Sequence, residues 1–433
     1  MITLQERVHS APKPDHWQLD KLHQVFRVRR GNKNTGMKED NLLSLSYGHI
    51  IQKDIETVGG LLPENFEGYQ IVEPGNIVLR LTDLQNDKRS LRQGLVTQRG
   101  IITSAYDAVE LQRDNDPRFW FYSLLALDLA KHYYSLGGGV RQSVKFADFP
   151  NDWVCRPDLA TQRQIADFLD RETARIDLLI EKKQRLVALL EEKLQSTLEK
   201  AIFVEGAKKV PLRRALIAIE QGWSPDCETR LKEQDEWGVL KVGCVNGWSF
   251  SAAEHKALPQ NFVPRPKLEI REGDLLMSRA NSPELVGSAA IVSNASSRLM
   301  LCDKLYRLRL DTKLLSPSFA LLALRSKAAR LHYSSRSNGA SSSMQNISQE
   351  TVRTLPVPLP PLKRQAEAVA ELERQKKHVS QTTSAVNSSI DRLKEYRSAL
   401  ITAAVTGQID VETYAKPGTP DRRLDAIQEE MGA

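Results

Sequence analysis

Apolar residues recur at two different periods along this chain, and the change of period divides it. From Asp158 to Glu205 there is no glycine or proline, and Ile165, Leu169, Ile176, Leu179, Leu186, Leu190, Leu194 and Leu198 advance by threes, fours and their sums. Runs such as Glu-Lys-Lys-Gln-Arg fill the intervals. This spacing predicts a long helix with a single apolar stripe, about 45 residues and roughly 65 Å in length. A second such run spans about 362–405. There Leu372, Val379, Val386, Leu393 and Leu400 fall seven apart with Val369 and Ile390 on the flanking position, the period of a coiled coil.

The two runs are copies. A constant shift of 203 residues, without a gap, carries Pro157 to Pro360, Leu159 to Leu362, Gln162 to Gln365, Leu169 to Leu372, Leu190 to Leu393, Glu192 to Glu395 and Ala201 to Ala404. A repeat that long is not a solenoid unit; it reads as two domain-plus-helix modules. The first copy places Leu169, Ile176 and Leu190 on the seam but also Lys183 and Thr197, and a polar seam residue trades stability for register. Two helices of equal length with one stripe each satisfy one another side by side; the other outcome is that each packs on its own globular unit. The seam does not fix their direction. An antiparallel pair would relate the modules by a pseudo-twofold axis.

The remaining segments change to short alternations and turns. In the first, Val25–Gly31 alternates apolar and basic residues as a half-buried strand does, Gly31–Gly36 is a loop, and Leu42–Tyr47, Asn76–Leu81 and Gly100–Ala105 read as strands. Phe119, Tyr122, Leu125 and Leu129 predict a helix over Pro117–Tyr134, stopped by Gly137-Gly-Gly. In the second, Val239–Val245, Gly273–Arg279 and Lys304–Leu310 read as strands and Phe319–Leu331 as a helix. Leu321-Leu-Ala-Leu repeats Leu124-Leu-Ala-Leu, and Gly273-Asp-Leu-Leu-Met echoes Gly75-Asn-Ile-Val-Leu. The division expected is 1–152 and 206–355 for the globular units, 153–205 and 356–412 for the helical regions, and 413–433 for a flexible tail.

Bulk properties narrow the class. At 433 residues, 41% hydrophobic and 27% charged, the chain has the make-up of a soluble protein of two to four domains. It has no apolar run long enough to span a membrane and no apolar signal core at Met1-Ile-Thr-Leu, which leads to the expectation of a cytoplasmic protein. Cys155, Cys227, Cys244 and Cys302 are scattered and fit reduced thiols better than a disulfide framework or a zinc knuckle. The net charge of +7 permits a polyanionic partner. Catalytic patterns fail. No Asn/Asp-Pro-Pro-aromatic motif surrounds Pro360-Pro361, and no GxxxxGK[ST] phosphate cradle is present. Asp158 lies roughly 50 Å along the helix from Glu191 and Lys193, too far to share a nuclease cation; Asp226 with Glu254 and Lys256 is a looser match of a kind common by chance.

The helical regions resemble the specificity subunit of type I restriction–modification enzymes. The residues that carry the likeness are Leu359-Pro-Pro-Leu-Lys-Arg-Gln and Leu393-Lys-Glu-Tyr-Arg-Ser-Ala-Leu-Ile-Thr-Ala-Ala-Val-Thr-Gly-Gln-Ile, with Pro157-Asp-Leu-Ala-Thr-Gln-Arg-Gln-Ile-Ala as a weaker first copy. That copy lacks the second proline, and its end departs from the Thr-Gly pattern. The resemblance implies two target recognition domains, each reading one half of a bipartite site in double-stranded DNA. It implies helical regions that space those domains and dock two methyltransferase subunits, joined by restriction and translocation subunits. It also implies no catalytic residue and no cofactor in this chain; S-adenosylmethionine, ATP and magnesium would belong to the partners. The expected fold is α+β, with two mixed α/β target recognition domains separated by two long helices that pair as an antiparallel coiled coil, in an internal pseudo-twofold repeat.

Candidate DNA contacts are basic and amide side chains on loops and element ends. Arg27, Arg29, Arg30, Lys33 and Lys38 gather around one turn of the first unit; Arg265, Lys267, Arg279, Asn281, Arg330, Arg336 and Asn338 are their counterparts in the second. Arginine reads guanine and asparagine adenine through two hydrogen bonds, while lysine mostly holds phosphate. Taken singly, each of these is as readily a solvated surface charge. Two other classes stay open at this point: a coiled-coil scaffold whose globular units bind protein, and a self-contained restriction endonuclease.

Overall fold

The computed structural model describes residues 8, 13–55, 65–84, 91–112, 114–136, 143–203, 207–247, 249–341 and 344–414. The glycine triplet at 137–139 and the tail from 415 on lie outside them. The chain divides into two compact units, Met1–Gln184 with Asn387–Ala433, and Arg185–Val386. Each unit takes half of each long helix.

The first unit opens with β1 (Gln18–Lys21), one turn of helix α1 (Leu22–Val25) and β2 (Phe26–Val28). The hairpin β3 (Leu43–Ser46) and β4 (His49–Gln52) follows, then β5 (Gln70–Val72), β6 (Ile77–Leu79), β7 (Gln93–Leu95), β8 (Gly100–Ile102) and β9 (Asp107–Leu111). Four of these strands make an antiparallel sheet in the order β2-β9-β6-β7. Ile77, Val78 and Leu79 are wholly buried, as suits a central strand of branched residues. Helix α2 (Pro117–Leu129) joins this core through Phe119, Trp120 and Leu124. The single helix predicted over Pro117–Tyr134 is in fact two, because Lys131 takes a left-handed φ of 60° before α3 (His132–Leu136). β10 (Trp153–Arg156) then pairs antiparallel with β1 and leads into α4 (Leu159–Ile202).

The second unit repeats this plan. It contains β11 (Lys209–Pro211), β12 (Leu216–Gln221), β13 (Gly238–Leu240), β14 (His255–Ala257), β15 (Leu275–Ser278), β16 (Ala280–Asn281), β17 (Ala289–Ile291), β18 (Leu299–Met300) and β19 (Leu305–Leu310). Its central sheet runs β12-β19-β15-β17, the same scheme strand for strand. Helices α5 (Pro317–Leu324) and α6 (Lys327–Ser334) replace the predicted Phe319–Leu331 helix. The break is chemical: the Ser326 hydroxyl accepts from Ala329 N–H and starts a new helix. Of Val239–Val245 only Val239 and Leu240 are strand; Val242–Val245 is a 3-10 turn. β20 (Asn338–Ser341), β21 (Met344–Asn346), α7 (Gln349–Arg353) and β22 (Pro356–Pro358) lead to α8 (Leu362–Val405), with β22 antiparallel to β11 as β10 is to β1. After Gly407 the short α9 (Val411–Tyr414) ends the described chain.

Equivalent contacts fix the correspondence between units. Tyr133 donates to the Leu124 carbonyl at 3.2 Å and Tyr333 to the Leu324 carbonyl at 3.4 Å, while Pro117 and Pro317 each occupy the first helical turn. These pairs lie 200 residues apart, so the Leu-Leu-Ala-Leu likeness in the sequence is three residues out of step with the fold.

The long helices, 44 residues each, pack antiparallel. In the first unit Leu169 and Ile176 share a core with Leu393 and Leu400, and Arg397 Nε meets Asp177 Oδ1 at 3.0 Å. In the second, Leu194 and Leu198 share a core with Leu372 and Val379, with Leu190 partly buried against it. The helices therefore do both things open to them: they pair, and each half packs on a globular core. Val386 is buried. Lys183 is buried too, its Nζ without a hydrogen bond among the described residues; burial first, and then the Arg392 charge, hold its pKa down. Thr197 returns its hydroxyl to the Lys193 carbonyl, and Leu198 takes the buried place instead.

Candidate nucleic-acid interface

In the second unit the chain leaves β15 at Ser278 and crosses into a small sheet, β16-β21-β20. Arg279, Asn281 and Asn338 meet there. The Arg279 carbonyl accepts from Ile347 N–H at 2.9 Å, Asn281 lies opposite Gln345, and Asn338 lies opposite Asn346. Asn281 is buried and donates to Asn246 Oδ1 at 2.8 Å, while Arg279 reaches the Asp303 carbonyl at 3.4 Å, which Gln221 also approaches at 3.2 Å. Arg336 is exposed and donates to Ser335 Oγ at 3.0 Å. Gln345 and Asn346, which are not among the candidate contacts, join this amide-rich edge through β21.

Arg265 and Lys267 form a separate group. Both are exposed and border a shallow, open concavity with Gln221, Gly222 and Leu268. Arg330 behaves differently. Its guanidinium donates to the carbonyls of Pro283 at 3.1 Å, Glu284 at 2.7 Å and Val286, and burial lowers its pKa. It holds the loop after β16 from behind.

The basic turn of the first unit is partly neutralised. Arg27 faces Glu110 across β2 and β9 and pairs with it at 2.6 Å; Arg29 lies 3.7 Å from the same carboxylate and donates to Asn76 at 3.1 Å. Arg30, Lys33 and Lys38 are exposed and have no carboxylate partner among the described residues. A buried arginine holds the loop after β6 here as well: Arg92 donates to the carbonyls of Thr82 at 2.9 Å and Asp83 at 3.1 Å.

One buried glutamine in each unit links the core helix to the start of a long helix. Gln162 Oε1 accepts from Asp116 N–H at 3.0 Å, and its Nε2 donates to the Pro157 carbonyl at 2.9 Å. Gln365 does the same with Ser316 N–H at 2.9 Å and the Pro360 carbonyl at 2.8 Å. Each glutamine thus ties the start of a long helix to the N-cap of the unit's core helix.

No family model matches the sequence. The chain is 32% identical over 188 residues to the specificity subunit of the type I restriction enzyme EcoEI from Escherichia coli, a stretch that is 43% of this chain and 32% of that one. It is 24% identical over 297 residues to the StySPI specificity subunit from Salmonella potsdam, covering 65% of this chain and 63% of that one. The chain thus spans less than two thirds of the length of these curated relatives. Among solved structures, a chain from work on complex assembly and conformational transition of the type I R-M system superimposes with a TM-score of 0.70 at 17% identity, covering 92% of this chain and 100% of that one. The HsdS subunit from Thermoanaerobacter tengcongensis gives 0.50, also at 17%, over 93% and 100%. The fold is that of a type I specificity subunit.

On this specificity-subunit fold the alternative catalytic patterns find other uses. Asp158 caps α4: it accepts from the Thr161 hydroxyl at 2.7 Å and from the N–H groups of Thr161 at 3.1 Å and Ala160 at 2.9 Å, and these bonds, the hydroxyl's first, lower its pKa. Glu254 pairs with Lys241 at 2.8 Å. Among the described residues no three His, Cys, Asp or Glu side chains gather as a cation site. All four cysteines are free thiols; burial pushes that of Cys302 up to about 12. No helix is long and apolar enough to cross a membrane.

Proposed function

We propose that this chain is the DNA-reading and scaffolding subunit of a type I restriction–modification system. Residues 1–152 and 206–355 each read one half of a bipartite, asymmetric site in double-stranded DNA. Residues 153–205 and 356–412 space the two readers and dock two methyltransferase subunits, which restriction and translocation subunits join. S-adenosylmethionine, ATP and magnesium belong to those partners, and the chain works in the cytoplasm without catalysing a reaction itself. The observation that carries this reading is the paired glutamine anchor: two units of one plan, each locked by the same side chain to one of two antiparallel helices. Two copies of a reader in one chain suit a two-part site in a duplex with its own local twofold. The exposed groups differ between the units, which suits unequal half-sites.

Binding of the assembled methyltransferase complex to duplex DNA tests it. One bipartite sequence should bind tighter than scrambled DNA by a factor on the order of 10³ or more, with affinity falling steeply as salt rises. Binding indifferent to sequence would overturn the proposal.

A further inference from the structure

Most of the candidate arginines are already engaged. Arg27 and Arg29 share Glu110, Arg279 reaches a carbonyl, Arg330 holds three, and Arg336 meets a serine. Among the described residues, Arg30 in the first unit and Arg265 in the second are not, and Arg265 alone of the two rests on an aromatic ring. It is exposed, its guanidinium meets no carboxylate or carbonyl among the described residues, and it lies over the Trp223 ring at 4.1 Å from the ring centre.

The platform beneath it is built to stay in place. Trp223 N–H donates to the Leu301 carbonyl at 3.0 Å, and its ring meets Phe262 edge-on at 5.9 Å. Gly222 brings the backbone so close to Leu301 that any Cβ there would run into that carbonyl. Arg265 N–H points to Met300 Sδ at 3.2 Å. The following turn is held by buried Arg307, which donates to the carbonyls of Lys267 at 3.1 Å and Glu269 at 2.8 Å while Asp274 and Glu220 neutralise it. An arginine stacked on an aromatic face keeps its planar fork of N–H donors free at the edge, with much of its side-chain freedom already lost. That is the geometry that pairs with O6 and N7 of guanine in the major groove. An unpaired guanidinium also gives up no ion pair on binding.

We propose that Arg265, stacked on Trp223, is the residue through which the second unit specifies a guanine in its half-site; this rests on the DNA-reading function proposed above. Lys267 and Gln221, beside it on the concavity, face the phosphate backbone.

The test is sequencing of methylated bases in DNA from cells that express the full chain with its methyltransferase subunit, comparing the natural chain with Arg265→Ala, Arg265→Lys and Trp223→Phe. In Arg265→Ala one half-site should lose its requirement for one guanine by about ten-fold or more, with the other half-site and the gap unchanged. Arg265→Lys should give a partial loss at the same position, and Trp223→Phe a smaller one. Should the alanine variant fail to accumulate, the lysine variant decides the matter, since it keeps both charge and length. An unchanged motif overturns the proposal, as does a uniform fall in methylation with the motif intact, which would make Arg265 a phosphate contact. A natural motif lacking a G·C pair in the second unit's half-site also overturns it while leaving DNA reading in place. A natural chain that directs no bipartite motif overturns both.

Discussion

Asp128 lies buried on α2, where one carboxylate oxygen accepts the backbone N–H of Arg92 at 2.7 Å. Burial dominates over that bond and over the nearby Lys131 and Arg92 charges, and raises its pKa from 3.8 to about 6. The folded chain thus holds this proton more tightly than the unfolded chain, which releases it near pH 4. Between about pH 4 and 6 the residue lowers stability progressively, and above pH 6 its full cost is present, at most about 3 kcal/mol. Asp128→Asn should therefore be more stable than the natural chain at pH 7 in urea unfolding, with the gain disappearing below about pH 4. A loss of stability at pH 7 would mean that the charge itself holds Arg92. Neither this burial nor the pairing of Arg27 with Glu110, 83 residues away, is written in local sequence. The basic residues were legible; which of them the fold had already used was not.

Gln162 and Gln365 act at the scale of the element. Each helix start has backbone groups that need partners, and the glutamine supplies both a donor and an acceptor from within the helix to a neighbouring cap. Gln365→Ala removes bonds to Ser316 N–H and to the Leu314 and Pro360 carbonyls. Leaving these buried groups unpaired should lower the stability of the second unit by about 1–3 kcal/mol, read as earlier loss of amide protection in β22 and α5 than in the first unit. Equal loss in both units would mean that the anchor is not local. The long helices were legible in full because forty-four residues give many turns of one period. Strands of three or four residues give at most two alternations, so β5, β7 and most of the small sheets were missed. The core helices were seen but not their breaks, because Lys131 in a left-handed turn and Ser326 as a cap leave the apolar spacing intact.

For the whole molecule, the separateness of the two cores makes the proposed reading heads exchangeable. Replacing residues 1–152 by the corresponding part of another specificity subunit should change one half-site of the methylated motif and leave the other as it was. A change in both would show that the units do not read independently. The loose likeness of the globular segments, against an ungapped match in the helices, has a physical reason: readers of different sequences must differ on the surface, whereas two copies of one scaffold need the same anchor.

Because each long helix is divided between the two cores, the order of synthesis matters. Arg185–Val386 is one unbroken stretch and has all its packing partners once α8 is half made. The first unit cannot close until Leu393, Leu400 and Ile401 have left the ribosome, although its other residues were made first. Leu169 and Ile176 wait uncovered through that interval, so the N-terminal half of the chain is the last to mature and the first to need protection from aggregation.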